Sequence, residues 1–306
     1  MYIRERPAAP AGIRPPGRPT SDARRLARWV ERLAIPRHRF ANARGNARVR
    51  EELAAELERQ GLHVRLQGAH RNVVATPRGW GSRPVTLLAA HYDTVPDCPG
   101  ADDNASGLAV MLECARVLGE LDAERSVAFV AFNAEEDGLV GSRDFVANGL
   151  AALDVRVRRA HVLEMVGFRS RAPGAAGRLP LPWAPRALDV PDYLGLVANG
   201  ASNEVADLAT RSTASPGLRV VTAKTWGPLH RLLPDLARSD HFPFWSAGLP
   251  AVLWTDTGNF RNPHYHRATD TPDTLDYAFM RDVADLLCDL LAHEPAKGVG
   301  PRAVRA

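Results

Sequence analysis

Two apolar runs, Val85 to Ala90 and Val127 to Phe132, limit what this chain can become more than any other feature. A strand wetted on one face alternates apolar with polar side chains, whereas a run without alternation must be covered on both faces. Each run therefore predicts a central strand of a sheet that carries helices on either side. Arg159 to Leu163 and Pro250 to Trp254 read as further strands. Between the first two runs, Leu108, Met111, Leu112, Ala115 and Leu118 recur at helical spacing. Strand, helix and strand in alternation is α/β grammar. A chain of 306 residues can bury a core as one large α/β domain or two smaller ones.

The flanks fit this scheme. Val49, Leu53 and Leu57 recur four apart between Asn46 and Gln60, with Gly61 placed to end a helix. Leu62 to Leu66 and Asn72 to Thr76 read as short strands separated by Gly68. Leu275 to Leu291 reads as a helix with Phe279, Val283, Leu286, Leu287 and Leu290 on one face. Residues 1–20 hold Pro7, Pro10, Pro15, Pro16 and Pro19 among arginines and few large apolar groups. Such a segment cannot offset its ordering entropy by burial, so it predicts a flexible tail. Residues 297–306 predict a second tail, leaving 21–296 as the folded domain.

Each strand runs into polar residues rather than a neutral turn. Val85 to Ala90 ends in His91, Tyr92 and Asp93, and Val127 to Phe132 ends in Asn133, Ala134, Glu135, Glu136 and Asp137. The Arg159 run ends in Glu164, and the Pro250 run precedes His264, Tyr265 and His266. Ligands of open α/β sheets bind outside the carboxyl ends of the strands, which gives polar residues there a reason to exist. Before the Leu108 helix stand Asp102, Asp103 and Asn104, flanked by Gly100 and Gly107. Capping uses one such residue comfortably, and three exceed what a single helix terminus needs. Adjacent acids repel one another in a plain loop, but beside a cation the repulsion becomes attraction.

Composition narrows the alternatives. With 45% hydrophobic and 24% charged residues and no apolar run long enough to span a bilayer, an integral membrane protein is excluded. The net charge is +4, but Lys224 and Lys297 are the only lysines and the arginines are scattered, which disfavours nucleic acid as a partner. Cys98, Cys114 and Cys288 are too few for a disulfide framework and form no CxxC pair. The N-terminus has no apolar segment leading to a cleavage site, so the expected compartment is the cytoplasm.

In order along the chain, HYD (91–93), GADDNASG (100–107), FNAEEDGLVGS (132–142), LEMVG (163–167), RSDHFPFW (238–245) and HYHRATDTPD (264–273) carry a resemblance. They are similar to the ordered motifs of the zinc exopeptidases that include bacterial leucine aminopeptidase, aminopeptidase Y and glutamate carboxypeptidase. The resemblance implies a single α/β domain with a mixed, mostly parallel central sheet between helices, acting on peptides as an aminopeptidase. It implies two Zn²⁺ ions, with His91 and Glu164 holding one, Glu136 and His266 the other, and Asp102 bridging them. The Asp102–Asp103 peptide is then expected to be cis. Three carboxylates and two Zn²⁺ leave one positive charge, which a bridging hydroxide neutralises. Glu135 is the implied general base. Asp93 would accept the other ring N–H of His91, and Asp240 would give comparable support. Glu164 departs from the aspartate that many members carry.

Other readings stay open on the residues alone. A glutaminyl cyclase resembles this family but binds one zinc and lacks a histidine matching His91. A carboxypeptidase would need a basic pocket, for which Arg171, Arg178 or Arg261 are available. A binding module on an inactive scaffold would have lost ligands or Glu135. Tyr265 and His230 are candidate oxyanion donors. The Pro- and Gly-rich stretch from Phe168 to Tyr193, with Leu179, Leu181 and Trp183, suits a substrate-covering loop or dimer contacts. Side-chain preference and oligomeric state are not legible.

Overall fold

The structure is a computed structural model that describes residues 1–9, 20–79, 84–121, 127–154, 156–171 and 186–293. Its strands are β1 (Tyr2–Arg6), β2 (His63–Gln67), β3 (Asn72–Thr76), β4 (Val85–His91), β5 (Val127–Phe132), β6 (Val157–Leu163), β7 (Tyr193–Ala198), β8 (Arg219–Lys224) and β9 (Ala251–Thr255). They form one nine-stranded sheet in the order β1-β8-β7-β9-β6-β4-β5-β3-β2. The centre, β9-β6-β4-β5, is parallel, and antiparallel pairs join β2 to β3, β3 to β5, β7 to β9 and β1 to β8. The helices are α1 (Ala23–Leu33), α2 (Ala43–Arg59), α3 (Gly107–Glu120), α4 (Val140–Asp144), α5 (Leu150–Ala152), α6 (Asn203–Arg211), α7 (His241–Ser246) and α8 (Tyr277–His293).

The two apolar runs are buried on both faces, as their lack of alternation requires. Leu88 and Ala90 of β4 with Phe129 and Ala131 of β5 pack into the cluster supplied by α1, α2, α3 and α8. Leu87 and Ala89 with Ala128, Val130 and Phe132 point the other way, against Phe145 and Phe244. Each fully buried Leu or Phe contributes about 1.5–3 kcal/mol, so this two-sided burial fixes β4 and β5 in the interior of the sheet. β5 lies on one side of β4 and β6 on the other. The chain thus reverses direction about β4, and a crevice opens at the carboxyl ends of these strands.

The N-terminus corrects the expectation of a tail over residues 1–20. Tyr2–Arg6 pairs along the edge of β8, and Ile3 packs against Leu188, Tyr193 and Val221. Arg6 Nη2 also donates to the Ser215 and Leu218 carbonyls, both at 3.0 Å. Ladder and side-chain hydrogen bonds order this edge without the apolar content that a core strand needs. Residues 10–19, the expected tail 297–306 and residues 172–185 of the Phe168–Tyr193 stretch lie outside the described residues. Among the described residues, no helix is long and apolar enough to cross a membrane.

Candidate active site

The polar residues that end the central strands converge in the crevice. His91 is the last residue of β4, Glu135 and Glu136 follow β5, and Glu164 follows β6. Asp103 sits in the 101–106 turn that leads into α3, and His266 in the loop after β9. Three residues at these junctions have left-handed backbone: Ala134 at φ 61°, Met165 at φ 52° and His266 at φ 57°. That conformation costs roughly 1–2 kcal/mol for a residue with a side chain, and such strain gathers at functional sites.

Asp103 is the centre of the geometry. Its Oδ1 lies 3.2 Å from His91 Nε2, and its Oδ2 lies 3.2 Å from His266 Nε2. Glu164 Oε1 approaches His91 Nε2 to 3.5 Å, and Glu136 Oε2 approaches His266 Nε2 to 3.1 Å. Two sets, His91-Asp103-Glu164 and Asp103-Glu136-His266, therefore share one carboxylate. Glu135 stands beside them, with an oxygen within 4.8 Å of ligand atoms on His91 and Glu136. His266 is the accessible edge, its side chain 32% exposed, while His91 and Asp103 are buried.

Burial and mutual repulsion set the proton affinities. Burial pushes the Glu136 carboxyl up to about 7, with the Asp103 charge adding to it. Glu135 is raised well above the carboxylate range, by burial first and then by Glu164, Asp240 and Glu136. Burial also acts on Asp103, but contacts with His266 and His91 outweigh it and hold that carboxyl low. Burial opposes the rise at His266, which its acidic neighbours Asp103 and Glu136 nonetheless carry to about 10.

The residues fit a metal. His91 Nε2, Asp103 Oδ1 and Glu136 Oε1 are buried and have no hydrogen-bond partner among the described residues. Orphaned polar atoms of this kind cost about 1–3 kcal/mol each unless something else satisfies them. Here they converge on common points rather than aligning with one another, and imidazole with carboxylate is a donor set that suits zinc.

Asp102 is not where the sequence reading put it. Its Oδ1 accepts from Gly167 N at 2.9 Å and its Oδ2 from Asn262 Nδ2 at 2.6 Å, so it ties the turn to the strand ends. Burial and the neighbouring Asp256 raise its carboxyl well above the usual range. The shared position belongs to Asp103, and the cis peptide is Asp103–Asn104 rather than Asp102–Asp103. Between adjacent aspartates the backbone decides: Asp103 has non-helical torsions, φ −104° and ψ 87°, that turn the two side chains to different surroundings.

Asp93 faces the His91 ring through two of its atoms. His91 Nδ1 lies 3.2 Å from its main-chain carbonyl and 3.6 Å from Oδ1. The carboxylate also accepts from Glu135 N at 3.1 Å and Glu136 N at 3.2 Å, fixing the loop that presents both acids. Asp240 is fully buried, and burial raises its carboxyl to about 7. Among the described residues its carboxylate oxygens accept no hydrogen bond, so its influence on His91 and Glu164 is electrostatic.

Two contributors, Ser239 and Arg37, were not singled out in the sequence. Ser239 Oγ donates to Glu164 Oε2 at 2.7 Å, which leaves Oε1 to face His91. Ser239→Ala should weaken ion binding at the His91–Glu164 position by about 10–100-fold, the usual scale for losing such a partner. A stepwise zinc titration checks this, with the second position little changed. Fully buried Arg37 donates to the carbonyls of Leu33, Ile35, Tyr92, Pro99 and Gly100, and so braces the segment between β4 and the Asp103 turn. Tyr265 stacks on His266 with centroids 3.7 Å apart, and its hydroxyl accepts from Arg238 at 3.2 Å. His264 bonds Thr269, and His230 packs edge-on against Phe242.

A cavity of about 550 Å³ opens over the cluster, lined by Asp103, Glu135 and Glu164 and on its apolar side by Met165, Tyr193 and Phe260. Leu188, from the described part of the Phe168–Tyr193 stretch, also lines it. Leu179, Leu181 and Trp183 fall outside the described residues.

Comparison with known proteins bears on the fold and the family. The uncharacterized protein YfbL of Escherichia coli is 33% identical over 237 residues, covering 73% of this chain and 71% of YfbL. Aminopeptidase YwaD of Bacillus subtilis is 27% identical over 238 residues, covering 76% of this chain and 46% of YwaD. Among solved structures, the aminopeptidase from Aneurinibacillus sp. strain AM-1 superposes with a TM-score of 0.65 at 18% identity, covering 92% of this chain and 96% of its own. A Porphyromonas gingivalis glutaminyl cyclase does so with 0.64 at 21% identity, covering 89% and 98%. The two structures show the shared fold. Residues 72–291 match the model of peptidase family M28, a span well over half of the sequence. The chain belongs to peptidase family M28.

Proposed function

We propose that this protein is a zinc-dependent aminopeptidase with two co-catalytic ions, His91 and Glu164 holding one, Glu136 and His266 the other, and Asp103 bridging both. The observation that carries the reading is the division of labour within one carboxylate: Asp103 Oδ1 faces His91 and Oδ2 faces His266. A one-ion site would leave one of the two histidines without a task. Bound zinc would supply a Lewis acid that polarises the scissile carbonyl and acidifies a water.

The chain's own residues do the rest. Glu135 belongs to the same crevice but not to either of the two sets sharing Asp103, which frees it to take the proton from the attacking water. Burial and neighbouring acids raise its carboxyl in the metal-free chain, and the proton it takes is passed to the leaving amine. Water adds to the carbonyl carbon, the C–N bond breaks, and the proton ends on the departing nitrogen. The cavity's apolar wall suits an uncharged side chain on the substrate. The name aminopeptidase borne by YwaD supports the choice of exopeptidase.

The test counts metal and cleavage in one sample. Zinc-loaded protein should bind two ions and cleave aminoacyl amides and dipeptides with a free amino terminus, and N-acetylation should abolish turnover. Cleavage confined to N-blocked substrates with a free carboxylate would establish a carboxypeptidase instead. One ion with no hydrolysis but cyclisation of an N-terminal glutamine would establish the activity for which the Porphyromonas gingivalis protein is named.

A further inference from the structure

The 101–106 turn that carries Asp103 leaves part of its backbone outside helical geometry, at Asp103 and again at Asn104 with φ −134° and ψ 40°. Amides in such a turn need acceptors from elsewhere, because an unpaired buried N–H costs about as much as a lost hydrogen bond. One side chain supplies two of them. Asp270 Oδ1 accepts from Asp102 N at 2.8 Å, and its Oδ2 accepts from Asp103 N at 3.1 Å. The Asp270 main-chain carbonyl accepts from Ala101 N at 3.1 Å as well, so three successive amides end on one residue. Asp270 is fully buried and lies four positions after His266 in the same loop, and its own amide donates to the Arg267 carbonyl at 3.0 Å. Asn262, at the start of that loop, holds Asp102 Oδ2 from the other end.

We propose that Asp270 is a positioning residue that locks the Asp103 turn to the His266 loop, so that the two ion positions assemble together rather than one after the other. The physical reason is that Asp103 must aim one oxygen at each histidine. Its own backbone is held in that attitude by a carboxylate belonging to the loop that delivers the second histidine. Bonds from amides to an ionised carboxylate are the stronger kind, and two from one group also fix its plane. Asparagine at 270 would keep one acceptor but turn an NH2 group against a backbone N–H. This inference rests on the two-ion reading above.

The experiment is a zinc titration of the full chain, wild type, Asp270→Asn and Asp270→Glu, against a competing chromophoric chelator, with thermal melting of each metal-free protein. At matched metal-free melting temperature, Asp270→Asn should bind zinc about 10–100-fold more weakly at both positions, and Asp270→Glu, which keeps two acceptors, should recover part of the loss. A second measurement needs no variant. Hydrogen exchange of the wild type during the same titration should protect segments 99–106 and 262–271 with a common zinc midpoint. Unchanged zinc affinity in Asp270→Asn, or separate midpoints for the two segments, overturns the proposal. A wild type that binds no zinc would instead overturn the functional reading on which it rests.

Discussion

Glu135→Gln is expected to bind zinc as tightly as the wild type and to hydrolyse its substrates about 10²–10⁴-fold more slowly, the scale of a positioned acid/base group. The substitution is nearly isosteric and leaves intact both sets that share Asp103. It removes the proposed proton acceptor while sparing the backbone bond from Glu135 N to Asp93. Zinc stoichiometry and kcat measured on the same preparation decide the matter. Loss of zinc would make Glu135 a ligand, and retained activity would move the base elsewhere in the crevice.

The second large effect separates two adjacent aspartates. On the two-ion proposal, Asp103→Ala should weaken zinc at both positions by at least the roughly 10–100-fold that loss of a supporting partner produces, because it would strip a ligand atom from each. Asp102→Asn should keep two ions and destabilise the fold by about 1–3 kcal/mol, since it disturbs buried bonds to Gly167 and Asn262. Metal counting together with denaturant unfolding distinguishes them. The opposite pattern, with zinc lost in Asp102→Asn and kept in Asp103→Ala, would restore Asp102 as the bridge.

That contrast marks where sequence reasoning stopped. β4, β5, α2, α3 and α8 were legible because burial on two faces or on one stripe imposes a period on the residues. β1, β7 and β8 were not, and β1 is ordered by pairing with β8 rather than by apolar content. α1 carried a readable stripe in Leu26, Trp29, Val30 and Leu33, hidden by its arginines. The convergence of His91, Glu135, Glu136, Glu164 and His266 could be read from polar residues breaking off apolar strands. Which of Asp102 and Asp103 joins them depends on torsions that a pair of identical side chains does not encode. Ser239 and Asp270 lay inside motifs already picked out, but their work is done by hydrogen bonds between segments far apart in the chain. Arg37 was one arginine in an arginine-rich chain, and nothing local distinguishes a fully buried one.

Arg37 bears on how the chain can be cut. The family match begins at residue 72, which invites expression of 72–291 alone as a minimal domain. That fragment would lack the guanidinium that satisfies the Tyr92, Pro99 and Gly100 carbonyls. The two buried acceptors, on Tyr92 and Gly100, left bare cost about 1–3 kcal/mol each, a large share of the roughly 5–15 kcal/mol that holds a typical domain together. The stripe of α1 that packs under α3 and α8 would go with it. The first helices are thus part of the folded unit that the family match does not span, and a trimmed catalytic core should begin before Ala23.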